Sequence, residues 1–263
     1  MTTLDGRVAI ITGATRGIGL ATARVFASAG VAVVLAGRDE KLGEEAAAAI
    51  EAGGGKARFV RTDVAKSDDV ASMVARAVAV FGGVDYLVNN AGVEIGKPLL
   101  ETTEEAWDWL MGTNLKGHFL CAVAVVPEMV KRGGGAIVNT SSVLGVMSMR
   151  NCGAYCASKA GILGLTRSMA LEWAELGIRV NCVLPGSTDT DMMWFGIDKA
   201  QIPSRRAAEE AIVPVGRVAD PREIGEASLW LCSPQASFVT GSSLLVDGGA
   251  LSEYPGPRWS PAG

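Results

Sequence analysis

Short β-branched runs alternate with longer alanine-rich stretches of helical period along nearly the whole chain, and no other feature restricts its fold as much. The strand candidates are residues 8–12, 32–36, 57–62, 86–89, 136–140, 179–184 and 244–246, and helical stretches fall at 17–29, 41–52, 68–81, 103–131, 154–176 and 221–232. Strands that are continuously apolar, rather than alternating, belong to a sheet covered on both faces. Strand–helix succession of this kind demands a parallel sheet with right-handed crossovers. The expected fold is therefore α/β, a single-domain doubly wound parallel sheet of about seven strands with helices on both faces.

The rhythm continues to about residue 250 without a linker-like shift, so residues 1–250 read as one catalytic domain. Residues 186–213 interrupt it. Their Met192-Met193-Trp194-Phe195 cluster suits either plain core or a substrate-covering lid, and its place after a strand end favours the lid. Residues 251–263, with three prolines and two glycines from Tyr254 onward, read as an extended C-terminal tail.

Composition narrows the function classes. Hydrophobic residues make up 49% of the chain, enough for a large core, and the net charge is −4. No basic stripe interleaved with aromatics is present, which argues against a nucleic-acid partner. The chain enters its first strand at Arg7-Val8-Ala9, with no charged n-region and h-region before it, so no secretory signal is expected. No apolar run reaches the roughly 20 residues of a membrane span, so no membrane partner is expected. The five cysteines, Cys121, Cys152, Cys156, Cys182 and Cys232, are odd in number and match no disulfide or zinc spacing. A reducing cytoplasm and no metal site are the expectation. His118, the only histidine, reads as a satisfied helix residue rather than a ligand.

The first strand runs into Thr12-Gly13-Ala14-Thr15-Arg16-Gly17-Ile18-Gly19, and a helix follows. Glycines there let the backbone turn sharply and approach a pyrophosphate, while the helix N-terminus offers free N–H groups and the positive end of its dipole. A mononucleotide P-loop would need Lys-Ser/Thr after the last glycine, and Leu20-Ala21 stands there instead. After the second strand comes Gly37-Arg38-Asp39. Asp39 could hold ribose hydroxyls or simply cap the next helix. Arg38 and Arg16 could together hold a 2′-phosphate, which favours NADP(H) and leaves NAD(H) as the alternative, or both could be solvated surface residues.

Tyr155 and Lys159 lie four apart at the start of a helix and share one face. A free phenol titrates near pH 10. A nearby ammonium and an oxidised nicotinamide ring would bring that value down, the chemical reason for a Tyr-x-x-x-Lys pair. Ser141 and Ser142 follow the fifth strand candidate at the C-terminal edge of the sheet, where a hydroxyl can donate to a substrate oxygen gaining charge. Asn114 is poorly suited to a helix interior, which suggests either a structural amide or a kinked helix holding a water.

With these residues in order, the chain resembles the short-chain dehydrogenase/reductase family, of Rossmann fold, over nearly its whole length. The resemblance rests on Thr12–Gly19, Asn89-Asn90-Ala91-Gly92, Asn114, Ser142, Tyr155-x-x-x-Lys159, Pro185-Gly186, Val239-Thr240-Gly241 and Val246-Asp247-Gly248-Gly249. It implies that Tyr155 is the acid/base and Ser142, rather than Ser141, the catalytic serine. Lys159 would bind the nicotinamide ribose and tune Tyr155, and Asn114 would hold a water that relays protons. Cofactor contacts are implied for Gly13, Thr15, Arg16, Gly17, Ile18 and Gly19 in the turn, and for Arg38, Asp63 and Val64 near the adenine. Asn90, Ala91, Gly92, Pro185, Gly186, Thr188 and Thr190 complete the implied set, with Tyr155 and Lys159 themselves. A homotetramer is likewise implied.

Cys156, directly after Tyr155, reads as a small buried hydrophobe in preference to a redox sensor. Three functions compete. An NADP(H)-dependent ketoreductase or alcohol dehydrogenase for a small to medium, fairly apolar substrate comes first. A 3-oxoacyl carrier-protein reductase comes second, because Glu172 and Glu175 make the end of the Tyr155 helix acidic where an acidic carrier would dock. A non-catalytic dinucleotide-binding regulator comes third, since such a protein has no chemical need for Asn114, Ser142, Tyr155 and Lys159 together.

Overall fold

The computed structural model describes residues 4–252. All seven expected strands form: β1 Val8–Thr12, β2 Ala32–Gly37, β3 Ala57–Arg61, β4 Tyr86–Asn89, β5 Gly135–Thr140, β6 Ile178–Pro185 and β7 Ser243–Val246. They make one sheet in the order β3-β2-β1-β4-β5-β6-β7, with every pairing parallel. Order reverses between β1 and β4, so a crevice opens between their C-terminal ends, where open α/β sheets bind ligands.

Alternating side chains send each central strand into two cores. From β1, Ala9 and Ile11 enter the layer shared with Phe26, Ile50 and Ile224, while Ile10 enters the layer shared with Met73, Val125 and Met169. Both faces are thus covered, as the apolar strand pattern required. The two edge strands are the exceptions: β3 exposes Arg58 and Arg61, and β7 exposes Ser243 and Leu245. Beneath the sheet, the buried Asp85 accepts hydrogen bonds from Arg7, Arg132 and the Val8 amide, fixing the start of β1 beside β4.

The helices are α1 Gly17–Ser28, α2 Glu40–Ala52, α3 Ser67–Phe81, α4 Glu104–Met111, α5 Gly117–Lys131, α6 Gly153–Trp173, α7 Ile202–Ile212 and α8 Pro221–Cys232. Two differ from expectation. The single helix expected over 103–131 is interrupted by a π-helical segment, Gly112–Lys116, that separates α4 from α5. An extra residue in one turn rotates the side chains that follow, a distortion frequent at functional sites. The expected Tyr155 helix ends at Trp173, and a 3-10 turn, Ala174–Leu176, finishes it.

Residues 104–131, taken across that interruption, are long and apolar enough to cross a membrane by composition alone, contrary to the expectation that no run was. Here Cys121, Val125 and Met129 of α5 pack onto the sheet as ordinary core. The helix α7, within the stretch read as irregular, buries none of its residues, so it leaves no apolar stripe in the sequence. The tail beyond Ser252 lies outside the described residues.

Candidate active site

The glycine turn sits at the crevice between β1 and β4. Gly13 and Gly17 adopt positive φ, 65° and 52°, which only glycine takes without strain. Gly19 needs its missing side chain for room: a Cβ there would lie 2.2 Å from the Gly13 carbonyl oxygen and 2.6 Å from Asn90 Nδ2. The first turn of α1 contains no acidic residue, and its N-cap, Arg16, makes no side-chain capping bond. Its amides and dipole are thus left facing the crevice, the requirement for a phosphate ligand. These features fit a dinucleotide pyrophosphate.

Asn90 locks this turn from the neighbouring strand. Its Nδ2 donates to the Thr12 carbonyl at 3.0 Å, and the Asn90 and Ala91 amides both donate to Thr12 Oγ1 at 3.0 Å. Thr190 lies against Gly17, where a built Cβ would be 3.4 Å from Thr190 Cγ2, so the loop after β6 reaches over the turn. Gly186 lies against Asp247, and Thr188 is tied to the Gly186 carbonyl and pairs with Ala219. Ile18 packs at the edge of the core, and Val64 is buried in it. Asp63 accepts from the Ala65 amide while its own amide donates to Asp69.

At the end of β2, Gly37 leaves no side chain, and a Cβ there would meet Thr15 Cγ2 at 2.7 Å. Asp39 caps α2, its Oδ1 accepting from the Leu42 amide at 3.1 Å. Arg16 and Arg38 share this corner, with Arg38 exposed. Arg16 Nη2 lies 3.9 Å from Asp39 Oδ2, a solvent-exposed contact of little energetic weight.

The other half of the site lies at the ends of β5 and α6. Lys159 is buried, donates from Nζ to the Thr140 carbonyl at 2.9 Å, and lies 5.4 Å from the centre of the Tyr155 ring. Ser141 donates to the Lys159 carbonyl at 2.8 Å, a structural tie. Ser142 accepts from the Leu144 amide, and its hydroxyl interacts with Tyr155. Ser142 is thus the serine whose hydroxyl lies at Tyr155, while Ser141 is engaged with the Lys159 carbonyl.

The expected lowering of the Tyr155 pKa needs the ammonium and an oxidised nicotinamide together; in the protein itself other influences prevail. Burial is the largest influence on the Tyr155 phenol and pushes its pKa well above the ordinary value, the Glu94 charge pushes it further, and Ser142 opposes both. Burial also brings Lys159 down to about 8. A buried ammonium loses hydration that the Tyr155 ring and one carbonyl only partly replace. Within the protein alone, Tyr155 is therefore firmly a phenol.

Asn114 stands in the π-helical segment, fully buried. Its Oδ1 accepts from the Val93 amide at 2.8 Å, and its Nδ2 donates both to the Val93 carbonyl at 2.9 Å and to Ser158 Oγ at 3.1 Å. Both amide protons are thereby used in structural bonds. A water at this residue would have to use a main-chain group or the remaining Oδ1 lone pair.

His118 departs from expectation. Its buried Nε2 has no hydrogen-bond partner, nor does the buried Thr140 Oγ1. Burial and then the Lys159 charge lower its pKa to about 3, so the ring is neutral. Asn89, Asn139 and Thr166 form a buried chain beside it: Asn89 Nδ2 donates to Asn139 Oδ1 and the His118 carbonyl, and Asn139 Nδ2 donates to Thr166. The sequence reading assigned no site role to Asn139, Thr166, Thr12, Ser158 or Glu94. An asparagine inside an apolar strand is the one signal that could have found the first. All five cysteines are free and buried, in keeping with Cys156 as a small hydrophobe.

The segment after β6 folds over this edge of the sheet. Asp189 accepts from Trp194 Nε1 at 2.7 Å and from Arg206 Nη2 at 2.6 Å, and the Arg206 guanidinium stacks 5.2 Å from the Trp194 ring centre. Ser187 donates to Glu209 at 2.8 Å. Phe195 and Met192 remain exposed.

Known proteins resemble this chain over nearly its whole length. A family model described as enoyl-(acyl carrier protein) reductase matches residues 13–250. The chain is 45% identical over 245 residues to cis-4-hydroxycyclohexanecarboxylate dehydrogenase of Sinomonas cyclohexanicum, covering 92% of this chain and 96% of that one. It is 40% identical over 255 residues to 3beta-hydroxysteroid dehydrogenase 1 of Eggerthella lenta, covering 96% of each. A crystal structure described as that of a short-chain alcohol dehydrogenase from Sinorhizobium meliloti 1021 superposes with a TM-score of 0.89 at 38% identity, covering 95% of this chain and 98% of the other.

Proposed function

Because the chain belongs to the short-chain dehydrogenase/reductase family and is a nicotinamide-dependent oxidoreductase of secondary alcohols, we propose that it is an NADP(H)-linked ketoreductase for a small to medium, apolar, alicyclic substrate. The observation that carries this reading is the placement of Tyr155, Lys159 and Ser142 on one side of the crevice whose other side is the Gly13–Gly19 turn.

The cofactor supplies or accepts the hydride. In reduction, Ser142 Oγ donates to the substrate carbonyl oxygen and steadies the charge developing on it. Tyr155 hands that oxygen its phenolic proton; in oxidation it takes the proton back. Lys159, whose pKa of about 8 lets it exchange a proton near neutrality, recharges Tyr155 and holds the nicotinamide ribose. Asn114 fixes the Val93 loop to Ser158 of α6, one residue from Lys159, and lies on the proton path to solvent. The turn residues Gly13, Thr15, Arg16, Gly17, Ile18 and Gly19 hold the pyrophosphate side, and Asp63, Val64, Asn90, Ala91 and Gly92 flank the adenosine and ribose. Pro185, Gly186, Thr188 and Thr190 border the nicotinamide.

NADP(H) is favoured because Gly37 leaves no carboxylate at the end of β2, Asp39 is engaged as a cap, and Arg38 is free to pair with a 2′-phosphate beside Arg16. Wild-type protein is expected to bind NADPH at least tenfold more tightly than NADH in a fluorescence titration, and Arg38→Ala to erase most of that gap, a charge-assisted pair contributing about 1.5–3 kcal/mol. Equal affinities in the wild type would contradict the assignment.

Both relatives named above act, by their names, on a hydroxyl carried by a ring. The exposed Met147, Met149, Met192 and Phe195, on loops leaving the same sheet edge, suit an apolar ring. The Asp189–Trp194–Arg206 clasp makes residues 186–213 a lid over it. A carrier-protein reductase is the second reading, favoured by the description of the matching family model; turnover of acyl thioesters but not cyclic ketones would select it. Apolar side chains left exposed on α4 and α5, Trp107, Trp109, Phe119 and Val123, support a homotetramer, which light scattering should register as four chains and not one. Buried free thiols are in keeping with a cytoplasmic location, which fractionation would test.

A further inference from the structure

The loop after β4 carries a carboxylate to the N-terminus of α6, the helix that bears Tyr155. Cys152 occupies the N-cap of α6, three residues before Tyr155, yet its side chain makes no capping bond to the helix. Its Sγ instead donates to Glu94 Oε1 at 3.4 Å. Cys152 is buried, so this bond anchors the otherwise exposed Glu94 within one helical turn of the phenol. The Glu94 loop is itself held, because the Val93 amide and carbonyl are both bonded to the Asn114 amide.

We propose that Glu94, held by Cys152, is a positioning residue that sets the charge at the mouth of the site: it keeps Tyr155 protonated and selects against anionic substrates. The proposal rests on Tyr155 being the acid/base. The groups facing Tyr155 are Glu94 from the β4 loop, Ser142 after β5, and Cys152, Cys156 and Lys159 from α6; Cys182 of β6 faces Lys159. Among these, Glu94 is the only carboxylate. The Cys152 thiol, pushed up to about 12 by burial and then by Glu94, stays a hydrogen-bond donor across the physiological range. The negative charge raises both the Tyr155 phenol and the Lys159 ammonium, so it favours proton retention by the pair. An acid that holds its proton is ready for reduction, whereas oxidation needs phenolate and must wait for higher pH. A second negative charge carried by the substrate would be repelled by Glu94 and so be disfavoured.

The test is the pH profile of kcat/KM for oxidation of a neutral alicyclic alcohol, with wild type, Glu94→Gln and Glu94→Asp. The rising limb is expected to move to lower pH in Glu94→Gln, so that at a fixed pH on that limb the variant is about three- to tenfold faster. Glu94→Asp is expected to restore most of the wild-type profile. Preference for a methyl ester over the corresponding free carboxylate, measured at one pH, should fall by a similar factor in Glu94→Gln. Because Glu94 is exposed, added salt should also move the wild-type limb to lower pH, a measurement that needs no variant. An unmoved limb and an unchanged ester preference in active Glu94→Gln, or a wild-type limb indifferent to salt, would overturn the proposal while leaving Tyr155 in place. Failure of the underlying reading would show differently, as retained turnover in Tyr155→Phe.

Discussion

Replacing Tyr155 with phenylalanine is expected to lower kcat by about a thousandfold, the middle of the range for loss of a general acid–base, while NADPH binds nearly as well as before. The ring stays, so the contact with Lys159 Nζ at 5.4 Å and the start of α6 are preserved. Only the hydroxyl that exchanges a proton with the substrate oxygen is lost. A loss confined to kcat identifies an interaction made in the transition state, and a rise in KM alone would identify ordinary binding. Turnover within a fewfold of wild type would remove Tyr155 from the mechanism.

The second large effect is at Gly19. Gly19→Ala is expected to weaken NADPH binding roughly 100-fold, because overpacking by one methyl costs about 1–3 kcal/mol and here the whole cost falls on the binding turn. The added carbon would stand 2.2 Å from the Gly13 carbonyl oxygen and 2.6 Å from Asn90 Nδ2. Neither is the end of a flexible side chain free to move: one is backbone, and the other donates to Thr12 and Gly13. Either α1 retreats or the turn opens, and both separate the helix amides from the pyrophosphate. Gly54→Ala is the control, since that glycine has nothing within 4 Å of a built Cβ and lies far from the crevice, although its positive φ of 85° carries a modest backbone cost. Wild-type NADPH affinity in Gly19→Ala would show that the turn does not carry the phosphate.

What was legible in the sequence is what local chemistry encodes. Apolar runs, glycine placement and the four-residue spacing of Tyr155 and Lys159 act over a few residues, and each appears in the fold where the pattern put it. Tertiary facts were hidden. That Asn114 spends both amide protons on Val93 and Ser158 follows from a π-helical segment that no periodicity signals. The anchoring of Glu94 by Cys152 joins residues 58 apart in the chain. His118 read as a satisfied helix residue because helix histidines usually find partners, but its Nε2 is buried without a side-chain or main-chain hydrogen bond. The helix α7 was missed because surface ion pairs hold it, Arg206 with Asp189 chief among them, and these leave no apolar period.

The most direct test of the account follows the hydride. NADPH deuterated at the hydride-donating carbon is mixed with wild-type protein and a panel of cyclic ketones, keto esters, steroids, sugars and acyl thioesters, and the products are analysed by mass spectrometry and NMR. The account predicts one deuterium on the carbinol carbon of a reduced cyclic ketone, formed faster with NADPH than with NADH. Label that stays on bound cofactor across the whole panel, or that appears on a carbon other than the one bearing the new hydroxyl, would contradict it.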